Sequence, residues 1–213
     1  MFKPILSTSI LGRAQKKGKV KFKLVNLRDF GKGKHQVVDG RPYGGGAGMV
    51  LRADILSAAL KKSKIKNQKS KVILTSASGK PYKQADARRL SKLKHLVIVC
   101  GHYEGVDQRF IDKYISEEIS IGDFVLTGGE LPAMIITDSI VRLIPGVLER
   151  KEATINESFT ENLLEGPQYT RPDIFEGASV PEILKSGHHQ EIEKWRKVEA
   201  LKKTRQMRPD LLE

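Results

Sequence analysis

Apolar residues recur with the period of an α-helix in several segments of this chain. Ile55, Leu56, Ala59 and Leu60 share one helix face in segment 55–60. The same reasoning predicts helices over 84–93, 106–114 and 131–143.

Strands are predicted between these helices. Residues 95–100 form a continuous apolar run, which is typical of a strand buried on both faces. Shorter apolar stretches predict strands at 71–75 and 118–121, and residues 19–24 alternate strictly between basic and apolar, as in a half-exposed strand. Because strands and helices alternate, we expect an α/β fold with a parallel sheet covered by helices.

The pattern changes in the last third of the chain. Residues 149–181 are polar and irregular, and residues 187–205 then form one amphipathic pattern with Ile192, Trp195, Val198 and Leu201 on a face. We therefore expect an α/β domain, an interdomain linker and a small helical domain. Their expected bounds are 1–150, 151–180 and 181–213.

Composition narrows the class of protein. The longest apolar stretch, 131–148, is interrupted by charged residues and a proline, so we expect no membrane-spanning helix and no membrane partner. The first residues contain no apolar run of signal-peptide length. Cys100 is the only cysteine, which excludes an intramolecular disulfide and suits a reducing compartment. We expect a cytoplasmic protein.

Charge is distributed very unevenly along the sequence. Residues 1–99 carry 24 Lys and Arg against 4 Asp and Glu, whereas residues 100–213 carry 14 against 21. A basic surface of this kind favours a polyanionic partner, in particular RNA. Solvated, lysine-rich helix faces are the alternative explanation.

Glycine and serine residues follow three of the predicted strands. They occur in segments 74–79, 100–109 and 120–133, and the last of these contains Gly122, Gly128 and Gly129. Ligands of open α/β sheets bind beyond the carboxyl ends of the strands, and glycine lets backbone groups approach a ligand closely. We expect the three segments to form one pocket for a small polar molecule. Tight turns with exposed polar tips are the alternative.

Other candidate groups are ambiguous from spacing alone. Asp138 and Arg142 lie four residues apart, as an ordinary ion pair would, although an arginine there could also stabilise a developing anion. Glu157, in segment 156–160, has the pattern of a solvated loop charge. Cys100 lacks a neighbouring base and fits the end of a core strand better than a nucleophile. The pair at 188–189 lacks further ligands, so we expect no metal site.

Several motifs together make the sequence similar to one family, the bacterial tRNA (guanine-N1)-methyltransferases. The resemblance covers essentially the whole chain. The motifs are Arg41–Gly46, Cys100–Asp107, Ser120–Met134, Gln168–Pro172, Leu184–His188 and Arg208–Leu212.

The resemblance implies an α/β domain of the SPOUT type with a deep trefoil knot, followed by a small C-terminal helical domain. It implies a homodimer with the active site at the subunit interface and S-adenosylmethionine bent within the knot. The substrate would be tRNA rather than DNA, and the product N1-methylguanine directly 3′ of the anticodon, at tRNA position 37.

The resemblance also assigns site residues. It implies that Glu157 is the general base, at a position where the family usually has Asp, and that Arg142 stabilises developing charge. The implied cofactor pocket consists of Leu74, Thr75, Ser76, Gly101, Tyr103, Glu104, Ser120, Ile121, Gly122, Asp123, Phe124, Val125, Leu126, Gly128, Gly129 and Pro132.

The sequence departs from the family pattern at three further places. Members usually begin with a buried strand ending in Phe-Pro-Glu-Met-Phe, and Met1-Phe2 matches the end of that motif. About one strand of the sheet is therefore missing. Either the start codon is misassigned, in which case we expect the reading frame to continue upstream into an apolar strand, or the N-terminal edge of the sheet is rebuilt. The chain stops at Glu213, so we expect a C-terminal helical domain near the family's minimum, and Ala47 replaces a more usual proline.

Two other functions remain open at this point. One is a SPOUT enzyme that methylates a ribose 2′-hydroxyl, which would not need Glu157 or the 168–172 motif. The other is a non-catalytic RNA-binding or assembly factor that retains the fold.

Overall fold

The chain folds into two compact units, Met1–Glu149 and Arg150–Glu213. The computed structural model describes residues 1–63, 70–150, 154–155 and 157–213. None of the helices in these described ranges is long and apolar enough to cross a membrane.

The first unit contains six helices and five strands within its described residues. In chain order they are α1 (Phe2–Ser7), α2 (Ser9–Lys16), β1 (Asp39–Gly40), β2 (Val50–Leu51), α3 (Ala53–Lys62), β3 (Ser70–Pro81), α4 (Gln84–Leu90), β4 (His95–Cys100), α5 (Gln108–Tyr114), β5 (Glu117–Ser120) and α6 (Glu130–Val141). A short 3₁₀ helix, Leu27–Phe30, precedes β1.

A parallel three-stranded sheet in the order β4-β3-β5 forms the centre of this unit. Ile73 of β3 and Ile136 of α6 are fully buried on one face of the sheet, in a cluster that includes Leu90 of α4. A second cluster on the other side unites Leu56 of α3 with Phe110 of α5. Each fully buried side chain of this size contributes about 1.5–3 kcal/mol. The predicted mixed α/β fold with a parallel sheet is confirmed.

Strand β3 is interrupted where it borders β5. Thr75 and Lys80 both pair with Ile119, so residues 76–79 bulge out of the ladder before the strand resumes. Gly79 is the last residue of the bulge. A Cβ there would lie 2.5 Å from the backbone nitrogen of Ile119, so glycine is needed for β5 to approach this closely. The sequence predicted only the part of β3 before this bulge.

The predicted strand at 19–24 is wrong, since these residues have no regular structure. The segment borders a cavity of about 920 Å³, which the edge strand β4 and helix α6 also line. Alternation between basic and apolar residues sets which side chains share a face, but a strand also needs backbone hydrogen bonds to a neighbouring strand. Within the described part of the chain, residues 19–24 pair with no strand.

The second unit contains a two-stranded hairpin and one long helix. The hairpin joins β6 (Ile174–Phe175) to β7 (Ala178–Ser179), and α7 spans His189–Met207. Thr204 of α7 is fully buried, and its hydroxyl accepts a hydrogen bond from the Leu164 backbone N–H at 2.9 Å. Val198, predicted to share the apolar face of this helix, is 51% exposed, whereas the other three predicted residues, Ile192, Trp195 and Leu201, are half-buried.

Arg89 ties helix α4 to the sheet. Its guanidinium donates to both carboxylate oxygens of Glu117 at 2.9 and 2.8 Å and to Asp86 at 2.9 Å. Burial has the largest single effect and raises the pKa of both carboxyls, but the hydrogen bonds and charge of Arg89, together with those of neighbouring lysines, outweigh it, so both pKa values lie below their ordinary range.

We expect Arg89→Met to lower the free energy of unfolding by about 1–2 kcal/mol at neutral pH, with allowance for the guanidinium's partial exposure. A lowered carboxyl pKa stabilises the fold above the unfolded-state pKa of about 4, and this stabilisation is lost as the pH falls through the folded-state value. The difference from wild type should therefore shrink in acid. Urea unfolding at about pH 7 and about pH 3.5 measures it.

Lys92→Met, at an exposed cation just beyond α4, is the matched control for this experiment. It should leave stability unchanged at both pH values. An Arg89→Met deficit of the same size in acid as at neutral pH would contradict the ion-pair explanation.

Candidate active site

A cavity of about 500 Å³ opens at the carboxyl ends of the three sheet strands. Its wall contains every residue that the sequence assigned to the cofactor pocket except Asp123. Asp123 is exposed in the middle of a tight turn, in which the Phe124 N–H donates to the Gly122 carbonyl at 2.9 Å. The lining residues are Leu74–Ser78, Gly101–Val106, Gln108, Ile111, Glu118–Gly122, Phe124–Gly129 and Pro132.

Thr75 and Gly129 fasten the strand ends behind this cavity. The buried Thr75 hydroxyl lies 3.2 Å from the carbonyl oxygens of both Val99 and Gly129. The Gly129 N–H donates to the Gly101 carbonyl at 2.7 Å. A Cβ on Gly129 would overlap the Thr75 hydroxyl and lie 2.7 Å from the Gly101 nitrogen. Only glycine fits this junction of β3, β4 and α6.

The segment after β4 forms a second wall. Tyr103 has a φ of +59°, a left-handed conformation that is uncommon for residues with a side chain. The Glu104 N–H donates to the Met49 carbonyl at 2.9 Å. Gly48 packs against the Glu104 side chain so closely that a Cβ there would overlap it. The glycine-rich loop at 44–48 therefore supports the pocket from outside.

The segment after β5 closes the third side. The Ser120 hydroxyl donates to the Gly122 carbonyl at 2.9 Å and lies 3.2 Å from the Gly122 N–H. A Cβ on Gly122 would come within 2.5 Å of the Phe124 ring. Beyond this turn Val125 is 86% exposed, so an apolar surface lies at the cavity mouth.

The residue-by-residue assignment of the cofactor pocket omits several lining residues, although the segments predicted to form the pocket, 74–79 and 100–109, contain Ala77, Ser78 and His102. Ser78 and Ala77 enter the wall because of the bulge in β3, and no local pattern signals a bulge. His102 also lines the cavity. Its position in the sequence between two assigned residues, Gly101 and Tyr103, could have indicated this.

The candidate chemical groups outside the cavity lie as follows. Burial raises the pKa of the Cys100 thiol to about 12, and the nearby Glu130 carboxylate adds to the effect, so this cysteine is not a thiolate nucleophile.

Arg142 directly follows α6 and is half-buried. It does not line the cavity. Its backbone N–H donates to the Asp138 carbonyl at 3.2 Å.

The remaining predicted groups belong to the second unit. Glu157 stands in a turn, where its carbonyl accepts a hydrogen bond from the Thr160 N–H at 3.1 Å. Its neighbour Asn156 lies outside the described residues. His188 and His189 are exposed where α7 begins. In the ranges that the structure describes, no group of three or more His, Cys, Asp or Glu side chains could hold a metal ion.

Fold and site together define an α/β domain with a pocket that glycine-rich backbone borders at the strand ends. Comparison with known proteins narrows this class. The sequence model of the family described as "tRNA (Guanine-1)-methyltransferase TrmD" matches residues 1–213. The chain therefore belongs to the TrmD family of tRNA (guanine-1)-methyltransferases, and the predicted family and enzyme class are confirmed.

Individual relatives agree over nearly their full length. The chain is 53% identical over 213 residues to a tRNA (guanine-N(1)-)-methyltransferase of Dictyoglomus turgidum, covering all of this chain and 86% of that protein. Proteins of the same name from Geotalea uraniireducens and Ruminiclostridium cellulolyticum are 49% and 52% identical, each over 212 residues. These alignments cover 100% and 99% of this chain and 86% and 91% of the two relatives.

Proposed function

We propose that this enzyme transfers a methyl group from S-adenosylmethionine to N1 of the guanine directly 3′ of the tRNA anticodon. The observation that carries the proposal is the cavity at the strand ends, whose wall is made by the segments with the family motifs. The names of the relatives, tRNA (guanine-N(1)-)-methyltransferases, support the substrate and the methylated atom.

The cavity suits this methyl donor in size and chemistry. Its volume of about 500 Å³ falls among small-molecule sites of about 300–1,000 Å³. Gly101 and Gly129 leave backbone uncovered where a Cβ would collide with neighbouring strand ends. Apolar side chains such as Leu74 and Ile121 can cover a purine, and the Glu104 and Glu118 carboxylates favour a cationic ligand. S-adenosylmethionine supplies an electrophilic methyl group on a positively charged sulfur.

Glu157 and Arg142 are proposed as the residues that make guanine reactive. N1 of guanine carries a proton and is a poor nucleophile until that proton is removed. In the proposed step N1 gains the methyl group and its proton passes to the Glu157 carboxylate. The negative charge that develops toward O6 is stabilised by the Arg142 guanidinium. The carboxylate of Glu157 stands one methylene farther from its backbone than that of the family's usual aspartate.

Charge supports tRNA as the partner and the proposed division of the chain. The strongly basic residues 1–99 favour binding of a phosphate backbone. We propose that segment 1–150 binds the cofactor, that 151–180 carries the base, and that 181–213 contributes to tRNA binding. A tRNA-modifying role further implies the cytoplasm as the site of action.

We also propose that two copies of the chain associate through helix α6. Most of this helix is buried, including Ile136, but Leu131 and Ile135 share an exposed face with Asp138 and are 47% and 51% exposed. Two large apolar side chains exposed on one face favour a surface that a second copy covers. Val125 is exposed at the cavity mouth, and a second copy that covered both it and α6 would place the active site at the interface of a homodimer.

The SPOUT-type trefoil knot belongs to the same proposal. It is supported by family membership and by the close association of the segments that would form it. His102 forms an isolated antiparallel bridge with Gly128, next to the hydrogen bond between Gly129 and Gly101. The segments after β4 and β5 therefore touch directly behind the cavity.

Methyl transfer from labelled cofactor to tRNA transcripts tests the proposed function. Transcripts with G directly 3′ of the anticodon should be methylated, and transcripts with A there should not. N1 methylation blocks the Watson–Crick edge, so primer extension should stop at that base. Equal transfer to both transcripts would reject guanine N1 and favour ribose methylation, whereas tRNA binding without transfer would favour a non-catalytic factor.

A further inference from the structure

The peptide of Tyr103 is held in an uncommon conformation at the cavity wall. Its φ of +59° is left-handed, although the residue carries a bulky aromatic side chain. Such backbone persists only where its surroundings impose it. The Glu104 N–H donates to Met49 on one side of Tyr103, and His102 contacts Tyr103 on the other.

His102 contacts this strained residue in two ways. Its Nδ1 accepts a hydrogen bond from the Tyr103 N–H at 3.1 Å. Its ring also packs against the Tyr103 ring, with centroids 4.9 Å apart and planes inclined by 57°. Because Nδ1 is an acceptor, the neutral imidazole carries its proton on Nε2.

The other side of the imidazole faces the segment that begins helix α6. Nε2 lies 3.9 Å from a carboxylate oxygen of Glu130, the first residue of α6. Gly128 lies under the ring, since a Cβ there would come within 3.0 Å of the imidazole. His102 therefore touches both segments that enclose the cavity.

We propose that His102 is a positioning residue for the cofactor. It holds the Tyr103 peptide in its left-handed conformation and fastens the segment after β4 to the start of α6. The inference rests on the proposed function, because it concerns the pocket assigned to S-adenosylmethionine. His102 acts through Tyr103 and Gly128, so its loss should weaken cofactor binding more than it slows transfer at saturating cofactor.

Three substitutions separate the two contacts of the imidazole. His102→Asn places an amide oxygen near the position of Nδ1 and can still accept from the Tyr103 N–H. His102→Gln extends its amide toward Glu130 and gives up that acceptor, and His102→Ala removes both contacts. We expect the Ala and Gln variants to bind S-adenosylmethionine about three- to tenfold more weakly, the effect of one lost hydrogen bond. The Asn variant should bind within about twofold of wild type.

Calorimetric titration of each full-length variant with S-adenosylmethionine gives the dissociation constant, and methyl transfer to tRNA gives KM and kcat separately. The expected pattern is a raised KM for the cofactor with kcat changed less, and rescue by Asn but not by Gln. His95→Ala, at the exposed opposite end of β4, is the matched control and should bind the cofactor like wild type.

The outcomes distinguish this inference from the proposed function. Wild-type protein that fails to bind S-adenosylmethionine overturns the proposed function and the inference with it. Normal binding by wild type and by the folded His102→Ala variant overturns the inference alone. Equal weakening in all three variants also overturns it, because the acceptor at Nδ1 would then not matter.

Discussion

Glu157→Gln is expected to lower the rate of methyl transfer by about 10²–10⁴-fold, the usual contribution of a general base. The amide keeps the size of the side chain but cannot take the proton from guanine N1. Cofactor binding should be unchanged, because the cofactor cavity is lined by the first unit. Single-turnover transfer with saturating tRNA and S-adenosylmethionine measures the chemical step without the influence of product release.

Two further variants make the Glu157 experiment specific. Glu157→Asp should be tolerated or even faster, since aspartate is the residue usual in the family. Glu161→Gln removes an exposed carboxylate from the same loop and should have no effect. Near-wild-type transfer by Glu157→Gln or Glu157→Ala would show that another group takes the proton.

Gly129→Ala should weaken cofactor binding by about one to two orders of magnitude. The backbone of Gly129, with φ −80° and ψ 0°, is open to alanine, so the effect comes from space alone. The new methyl group would overlap the Thr75 hydroxyl and crowd the Gly101 nitrogen, forcing the ends of β3 and β4 away from α6. Overpacking of this kind costs about 1–3 kcal/mol, which corresponds to the expected loss of affinity.

Calorimetric titration with S-adenosylmethionine and thermal unfolding together measure this effect. Gly40→Ala is the matched control, because a Cβ at Gly40 meets no atom within 4 Å. It should change neither affinity nor melting temperature. If Gly129→Ala bound the cofactor as tightly as wild type, the junction of Thr75, Gly101 and Gly129 would not shape the site.

The sequence predicted the positions of the central strands because segments 71–75 and 95–100 are largely apolar, although β4 was expected to be buried on both faces and is a half-buried edge strand. Segments 71–75, 95–100 and 118–121 all correspond to strands of the sheet, and the glycine-bearing segments behind them line one cavity. Residues 19–24 have an equally clear period, yet they form no strand. A period-two pattern shows which side chains would share a face of a strand. It does not show whether the backbone forms hydrogen bonds to a neighbouring strand.

The chemistry of the site was less accessible from sequence than its location. A loop glutamate such as Glu157 has the same local pattern whether it is a base or a solvated charge, so only the family resemblance singles it out. The role proposed for His102 depends on the φ of Tyr103 and on contacts across the chain to Gly128, which no linear spacing encodes.

Because of the bulge in β3, the number of residues in this part of the pocket wall does not affect the register of the sheet. Thr75 and Lys80 meet the same residue of β5, Ile119, so both ends of the bulge are anchored at one point of the neighbouring strand. Residues added or removed between them change the wall without shifting any other strand pair. If Gly79 is kept, we expect changes in the length of this segment to alter the size of the pocket while the pairing of the sheet strands stays the same.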